Sequence, residues 1–190
     1  MSESQRKLLM VNLIKFYDDP SIFNTLYPVI SRERKINNKK LSLRILDWFI
    51  KSYSKQYRIT LTTKTGESIS NIHVLYKTHS NSLCGKLFDP FCRNKRFKFC
   101  FKHIYKNNSK CTDDCEFKVT TTTAQLNFLK WCWDHGVIDY VTENIEDIYI
   151  DMNMFDKLKR SSDLTKHKER KHSSSCRTIY KNFDKTIIEF

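Results

Sequence analysis

Apolar positions recur along this chain at two different periods, and the changes of period divide it. Between Ser2 and Asp18, residues Leu8, Leu9, Val11, Leu13, Ile14 and Phe16 follow Ser2-Glu3-Ser4-Gln5, which fits a capping box ahead of a helix. Asp18-Asp19-Pro20 predicts its end. The short stretch Ile22–Ile30 is apolar but contains Pro28 and reads ambiguously, and SRERKINNKK after it reads as a polar, basic connection. Leu41–Tyr57, LSLRILDWFIKSYSKQY, predicts the clearest helix. Ile45, Phe49, Tyr53 and Tyr57 recur every fourth residue beside Leu46 and Ile50, while Arg44, Asp47, Lys51 and Lys55 fall opposite and Trp48 lies at the edge.

The period then drops to two. Ile59, Leu61 and Thr63 alternate within Arg58–Thr63, Lys64-Thr65-Gly66-Glu67 is a turn, and Ile69–Lys77 completes a predicted β-hairpin. Thr78–Gly85 reads as a polar loop and Asp89-Pro90 as a turn. Phe97, Phe99 and Phe101 alternate with Lys98, Cys100 and Lys102, the pattern of a half-buried strand, and Glu116–Thr121 is a further strand candidate. Helical spacing returns at Thr122, which forms a capping box with Gln125. Leu126, Leu129 and Trp133, flanked by Phe128 and Cys132, supply a buried face, and Gly136 suits the left-handed position past the helix end. Glu143–Lys157 reads as a last helix carrying Ile145, Ile148, Met152 and Phe155 on one side.

These elements predict an α+β domain over residues 1–158: helical to 57, a small antiparallel sheet over 58–121, then helical again. Lys159–Cys176 is poor in apolar residues and rich in Lys, Ser and His, so residues 159–190 read as a basic disordered tail. Within it, 177–190 regains enough apolar residues to dock back.

Charge changes the picture more than size does. The 190 residues carry 34 Lys and Arg against 21 Asp and Glu, a formal net charge of +13, and such an excess favours a polyanion: DNA, RNA or an anionic membrane. No stretch approaches the ~20 apolar residues of a membrane span. The cations concentrate at Arg93, Lys95, Arg96, Lys98, Lys102, Lys106 and Lys110, a run without a single acid. If its phenylalanines are core, these cations form a working face able to neutralise phosphates. Val137–Asp156 holds six acids and no Lys or Arg, and would either dock on that face or keep the opposite side clear of a polyanion.

Candidate chemistry adds less. The seven cysteines are an odd number, and no secretory pattern precedes them: Leu8–Tyr17 is short and interrupted by Asn12 and Lys15. Reduced thiols in an intracellular protein follow. Cys100, His103, Cys111 and Cys115 have a spacing that would place four ligands around a structural Zn²⁺, although neither pair is the usual Cys-x2-Cys and Cys100 sits in a candidate strand. A Cys–His nucleophile drawn from Cys84 or Cys92 with His73 or His103 has no support from spacing. Asp47 and Asp89 are single carboxylates, and Glu146-Asp147 would point apart on a helix. With three glycines there is no phosphate-binding loop. No catalytic constellation emerges, and no cofactor other than that zinc is implied.

Three blocks, LDWFIKSYSKQY at Leu46–Tyr57, KLFDPFCRNKRFKF at Lys86–Phe99 and TTTTAQLNFLKWCWDHGVIDYV at Thr120–Val141, resemble a small conserved-hypothetical family of nucleocytoplasmic large DNA viruses, the mimivirus-like giant viruses. The resemblance implies expression in infected cells, in the host cytoplasm or viral factory or in the virion. It carries no activity to any residue. Together with the charge it leads to the expectation of a non-enzymatic nucleic-acid-associated protein, a transcription or genome-packaging accessory. The alternative is a virion structural or assembly protein whose basic face meets acidic viral partners.

Overall fold

A computed structural model describes residues 3–82, 85–101 and 117–160. The chain divides into two compact units, Met1–Tyr149 and Ile150–Phe190. In the first, α1 (Glu3–Tyr17) and α2 (Pro20–Ile30) are separated by Asp19. Asp19 caps α2 by accepting from the Ser21 amide (2.8 Å) and hydroxyl (2.6 Å), and these bonds hold its carboxyl below the usual range. The ambiguous Ile22–Ile30 stretch is therefore helical, with Pro28 in its last turn and Ile22, Leu26, Val29 and Ile30 buried. α2 ends in a Schellman motif: Glu33 N–H donates to Pro28 O (2.9 Å) and Arg32 N–H to Val29 O (3.3 Å).

The connection after α2 is not irregular. It forms a two-residue hairpin, β1 (Lys35–Ile36) with β2 (Lys39–Lys40), turned by Asn37 and Asn38 at φ +47° and +61°. Both central residues in the left-handed region make this a type I′ turn, for which asparagine is well suited. The long helix begins at α3 (Leu43–Trp48), widens into a π segment (Phe49–Tyr53) and closes as α4 (Ser54–Tyr57). A π turn inserts one residue into the helical register. Ile45, Leu46, Phe49, Ile50 and Tyr53 are buried as the spacing predicts, but beyond the insertion Ser54 takes the inner position and Tyr57 is 50% exposed.

Among the described residues the sheet predicted over 58–121 resolves into two separate two-stranded ribbons, apart from β1–β2, so the α+β class holds while the sheet is smaller than expected. β3 (Leu61–Thr62) pairs with β4 (Ser68–Ile69), then α5 (Ile72–Ser82) occupies most of the stretch expected as a second strand. On α5, Ile72 and Tyr76 are buried while Val74 is 52% exposed. Four-residue spacing, not alternation, decided that segment. A 3₁₀ turn (Gly85–Leu87) leads to β5 (Phe97–Cys100), which pairs antiparallel with β6 (Lys118–Thr121). Phe99 and Phe101 are core, and they join Tyr17, Phe23, Tyr27 and Phe117 in a cluster of edge-to-face rings.

α6 (Thr123–Asp134) is the centre of the unit. Ala124, Leu126, Phe128, Leu129, Trp131 and Cys132 are all buried, so it is covered on more than the one face expected. Trp131 is core, whereas Trp133 is only partly buried and lies under the Lys64 ammonium (4.5 Å). The Tyr17 hydroxyl donates to Leu126 O across the core at 2.7 Å. α1 contributes less than its sequence suggests: Leu13 and Tyr17 are buried, while Leu8, Val11 and Ile14 stand exposed. α7 (Val137–Glu143) and helical residues 145–149 complete this unit, burying Val137, Ile138, Val141, Ile145 and Ile148.

In the second unit, residues 150–160 are helical, with Met152 buried and Phe155, expected on the same side, 49% exposed. The predicted tail from 161 onward and its docking segment 177–190 lie outside the described residues. No helix among the described residues is long and apolar enough to cross a membrane.

Gly136 joins α6 to α7 at φ +69°, and a Cβ there would lie 2.2 Å from Thr62 O in β3. The left-handed backbone and the close approach both require glycine. Gly136→Ala is expected to lower the unfolding free energy by roughly 2–4 kcal/mol, measured by urea denaturation.

Candidate functional site

The loop from Gly85 to Arg96 holds its shape through side-chain amides of α6. Asn127, buried, donates to Leu87 O (3.2 Å), and Gln125 Nε2 donates to Pro90 O (3.3 Å). Thr122 Oγ1 accepts from Gln125 N (3.2 Å), which is half of the predicted capping box. The other half is diverted: the Gln125 side chain accepts from Thr121 Oγ1 (2.9 Å) and reaches the loop instead. Asp89 Oδ1 accepts from Phe91 N (3.0 Å), Cys92 N–H donates to Asp89 O (3.2 Å), and Asn94 Nδ2 donates to Lys86 O. Phe88 anchors the loop below, packed on Tyr76 and Trp131 and 1% exposed.

Against this loop, the segment from Ser31 to Arg44 forms a cleft of about 780 Å³. Its charged lining is entirely basic: Arg32, Lys40 and Arg44 from that segment, Arg93 and Arg96 from the loop. Ser42, Thr120, Thr122 and Gln125 add uncharged polar groups, and Phe91, 55% exposed, adds a ring. Arg32, Lys40, Arg93 and Arg96 are exposed and have no carboxylate partner among the described residues.

Two features of the backbone set this cleft apart from an ordinary lysine-rich surface. Arg32 occupies the left-handed position of the Schellman motif, φ +66°, where glycine would be unstrained. A side chain there costs about 1–2 kcal/mol. Lys35 and Lys40 face each other directly across the β1–β2 ribbon. Like charges in that relation are destabilising by some tenths of a kcal/mol, roughly 0.2–1. Both arrangements hold cations where stability alone would not put them.

Of the cations expected to work together, the structure brings Arg93 and Arg96 into the cleft. Lys95 is exposed outside it, and Lys98 lines a separate cavity of about 120 Å³ with Met10 and Asp18. Arg96 precedes β5, so the two-residue strand period does not tie it to Lys98. Lys102, Lys106 and Lys110 lie outside the described residues. So do His103, Cys111 and Cys115 of the expected zinc set, while Cys100 is buried on β5. Among the described residues no three His, Cys, Asp or Glu side chains are grouped to hold a metal. In the acidic segment, Asp139 pairs with Lys64 of the β3–β4 turn. Arg32 and Lys40 fall in a stretch that reads as a polar connection and Arg44 on the polar side of a helix, so nothing in the sequence joins them to Arg93 and Arg96. Asn37-Asn38 was the local signal that would have folded Lys40 back toward Arg32.

Other polar residues come together outside the cleft. Asp47 pairs with Lys51 at 2.7 Å, and burial, more than the nearby Asp89, raises its carboxyl above the usual range against the pull of Lys51. Tyr76, whose buried hydroxyl has no hydrogen-bond partner among the described residues, has its pKa raised by burial and by the carboxylates of Asp47 and Asp89. Two histidines also meet, His79 and His135 with ring centroids 5.7 Å apart: Trp131 Nε1 donates to His79 Nδ1 (2.6 Å), and the His135 ring stacks on Trp131 at 4.3 Å.

The first unit is thus a helix-dominated α+β body carrying a polybasic cleft beside a pinned loop. The chain belongs to a family of unknown function, DUF7197, whose model matches residues 2–189. It is 28% identical over 164 residues to the uncharacterized protein L507 of Acanthamoeba polyphaga mimivirus, covering 85% of this chain and 58% of that protein. The chain therefore spans little more than half the length of the relative it matches. That relative bears out the resemblance to giant-virus proteins of unassigned role. No solved structure matches the chain.

Two outcomes test the arrangement. Asn127→Ala leaves the Leu87 carbonyl without its donor, so unfolding free energy is expected to fall by about 1–3 kcal/mol, with faster amide exchange in the Gly85–Arg96 loop. Burial, followed by His79 and Lys130, lowers the His135 pKa, opposed by the Trp131 carbonyl and Asp134. The unfolded chain then binds the proton more readily, so stability is fully present above the unfolded value of about 6.5 and declines as pH falls below it. Denaturation of wild type and His135→Gln across that interval should show the steeper decline in wild type.

Proposed function

We propose that this protein is a non-enzymatic nucleic-acid-associated protein, a transcription or genome-packaging accessory, that engages phosphates in the basic cleft. The observation that carries the reading is the convergence of Arg32, Lys40, Arg44, Arg93 and Arg96 from two stretches of chain with no acid among them. Clustered cations of this kind bind a polyanion by releasing its condensed counterions. Arginine, four of the five, matches phosphate oxygens through its planar fork. The strained Arg32 and the opposed Lys35–Lys40 pair support the same reading, because an anion between them would relieve the repulsion. The net charge of +13 would draw such a ligand in from solution.

With about five phosphates engaged, the logarithm of the binding constant should fall against the logarithm of salt concentration with a slope of roughly −3.5 to −4.5. Arg93 and Arg96 are exposed, so the double substitution Arg93→Glu, Arg96→Glu should leave the circular dichroism spectrum intact. It should weaken binding at least tenfold and flatten the slope by roughly 1.5. Fluorescence anisotropy with labelled oligonucleotides reads both. Salt-independent binding, or an unchanged affinity in the double variant, would leave an acidic protein partner as the better reading of the cleft.

A further inference from the structure

We infer that the cleft selects single-stranded nucleic acid and stacks one unpaired base on Phe91; this deepens, and rests on, the phosphate-binding reading above. Phe91 is 55% exposed, whereas Phe88 three residues earlier is 1% exposed. Its exposure is imposed by the fold, not by fraying. The Phe91 amide is held by Asp89 Oδ1 (3.0 Å), the preceding carbonyl by Gln125 Nε2 (3.3 Å), and the following amide, that of Cys92, by Asp89 O (3.2 Å). A ring fixed at its backbone loses little freedom when a ligand stacks on it, which is the advantage of a preorganised contact.

The surroundings of the ring decide the ligand class. Phe91 shares the cleft with Arg93 and Arg96 on its own loop and with Arg32, Lys40 and Arg44 across from them. A base on the ring therefore has its flanking phosphates among cations, the combination of aromatic platform and basic groove that tracks single strands. A duplex fits poorly on both counts. Its bases are already stacked and paired, so a protruding ring finds no face to meet. A cleft of about 780 Å³ also has the volume of a small-molecule site, roughly 300–1,000 Å³, and admits part of an unpaired strand, whose flanking phosphates reach the exposed cations that line it, but not a double helix. Thr122 Oγ1 accepts from Gln125 N, and the Gln125 amide is bonded to Thr121 Oγ1 and Pro90 O, so these groups are committed within the protein and the site stacks a base without selecting one base over another.

The test uses the full chain and three labelled probes at one fixed salt concentration: an oligothymidylate, the matching abasic oligonucleotide, and a duplex of equal length. Wild type should bind the oligothymidylate at least tenfold tighter than either of the other two. Phe91→Ala should weaken oligothymidylate binding roughly tenfold, the loss of one stacked base, and leave abasic and duplex binding unchanged. Phe91→Trp should restore it. The ring is exposed, so neither change removes core packing, and thermal melting checks that both variants fold. Duplex bound as tightly as oligothymidylate, or a Phe91→Ala variant that binds oligothymidylate like wild type, overturns the inference. If binding in either case stays salt-dependent, the phosphate reading survives without it. If no probe binds, both readings fall.

Discussion

The burial of α6 on nearly all sides is the constraint from which the rest of the first unit follows. A helix whose Ala124, Leu126, Phe128, Leu129, Trp131 and Cys132 are all removed from water needs neighbours on several flanks. α1 supplies Tyr17, bonded to the Leu126 carbonyl, and α3 and α7 supply aliphatic residues. Phe88 and Tyr76 close over Trp131. The short ribbons add little surface of their own. They position turns and loops around that helix, and Gly136 allows β3 to approach its end.

The same helix that organises the core also shapes the cleft. Its first turns carry Gln125 and Asn127, polar residues that a purely packing role would not call for, and both spend their amides on backbone carbonyls of the Gly85–Arg96 loop. An amide left without a partner where water is excluded is costly, so these bonds hold the loop's carbonyls to α6. What the loop presents as a result is Phe91, Arg93 and Arg96. The opposing cations depend on two local devices, the Schellman motif at Arg32 and the Asn37-Asn38 turn that returns Lys40. The backbone positions from which these cations and the ring project are thus set by the fold.

Much of this was legible where a single physical signal dominated. The helices over Glu3–Tyr17 and Thr123–Asp134, the cap at Thr122, the glycine at 136 and the buried Phe99 and Phe101 follow from periodicity and local chemistry. The failures have physical causes. Ile69–Lys77 contains residues acceptable to both periods, and burial of Ile72 and Tyr76 chose the helix. The π segment shifted Tyr57 outward by one register step, which no spacing rule anticipates. Of the candidate site, Arg93 and Arg96 were visible as part of a charge run. Arg32, Lys40 and Arg44 were not, because their relation to that run is tertiary. Phe91 was hidden for a different reason: nothing in the spacing around the Asp89-Pro90 turn distinguishes a ring that the loop holds out from one that it buries.

The central claim is that nucleic acid lies in this cleft, against Phe91. Photo-cross-linking of a thymidine-containing oligonucleotide to the full chain, followed by mass spectrometric identification of the modified peptides, tests it most directly. Adducts are expected on Phe91 and its immediate neighbours, lost when unlabelled oligonucleotide competes. Adducts confined to peptides outside residues 31–44 and 90–96, with Phe91 unmodified, would contradict it.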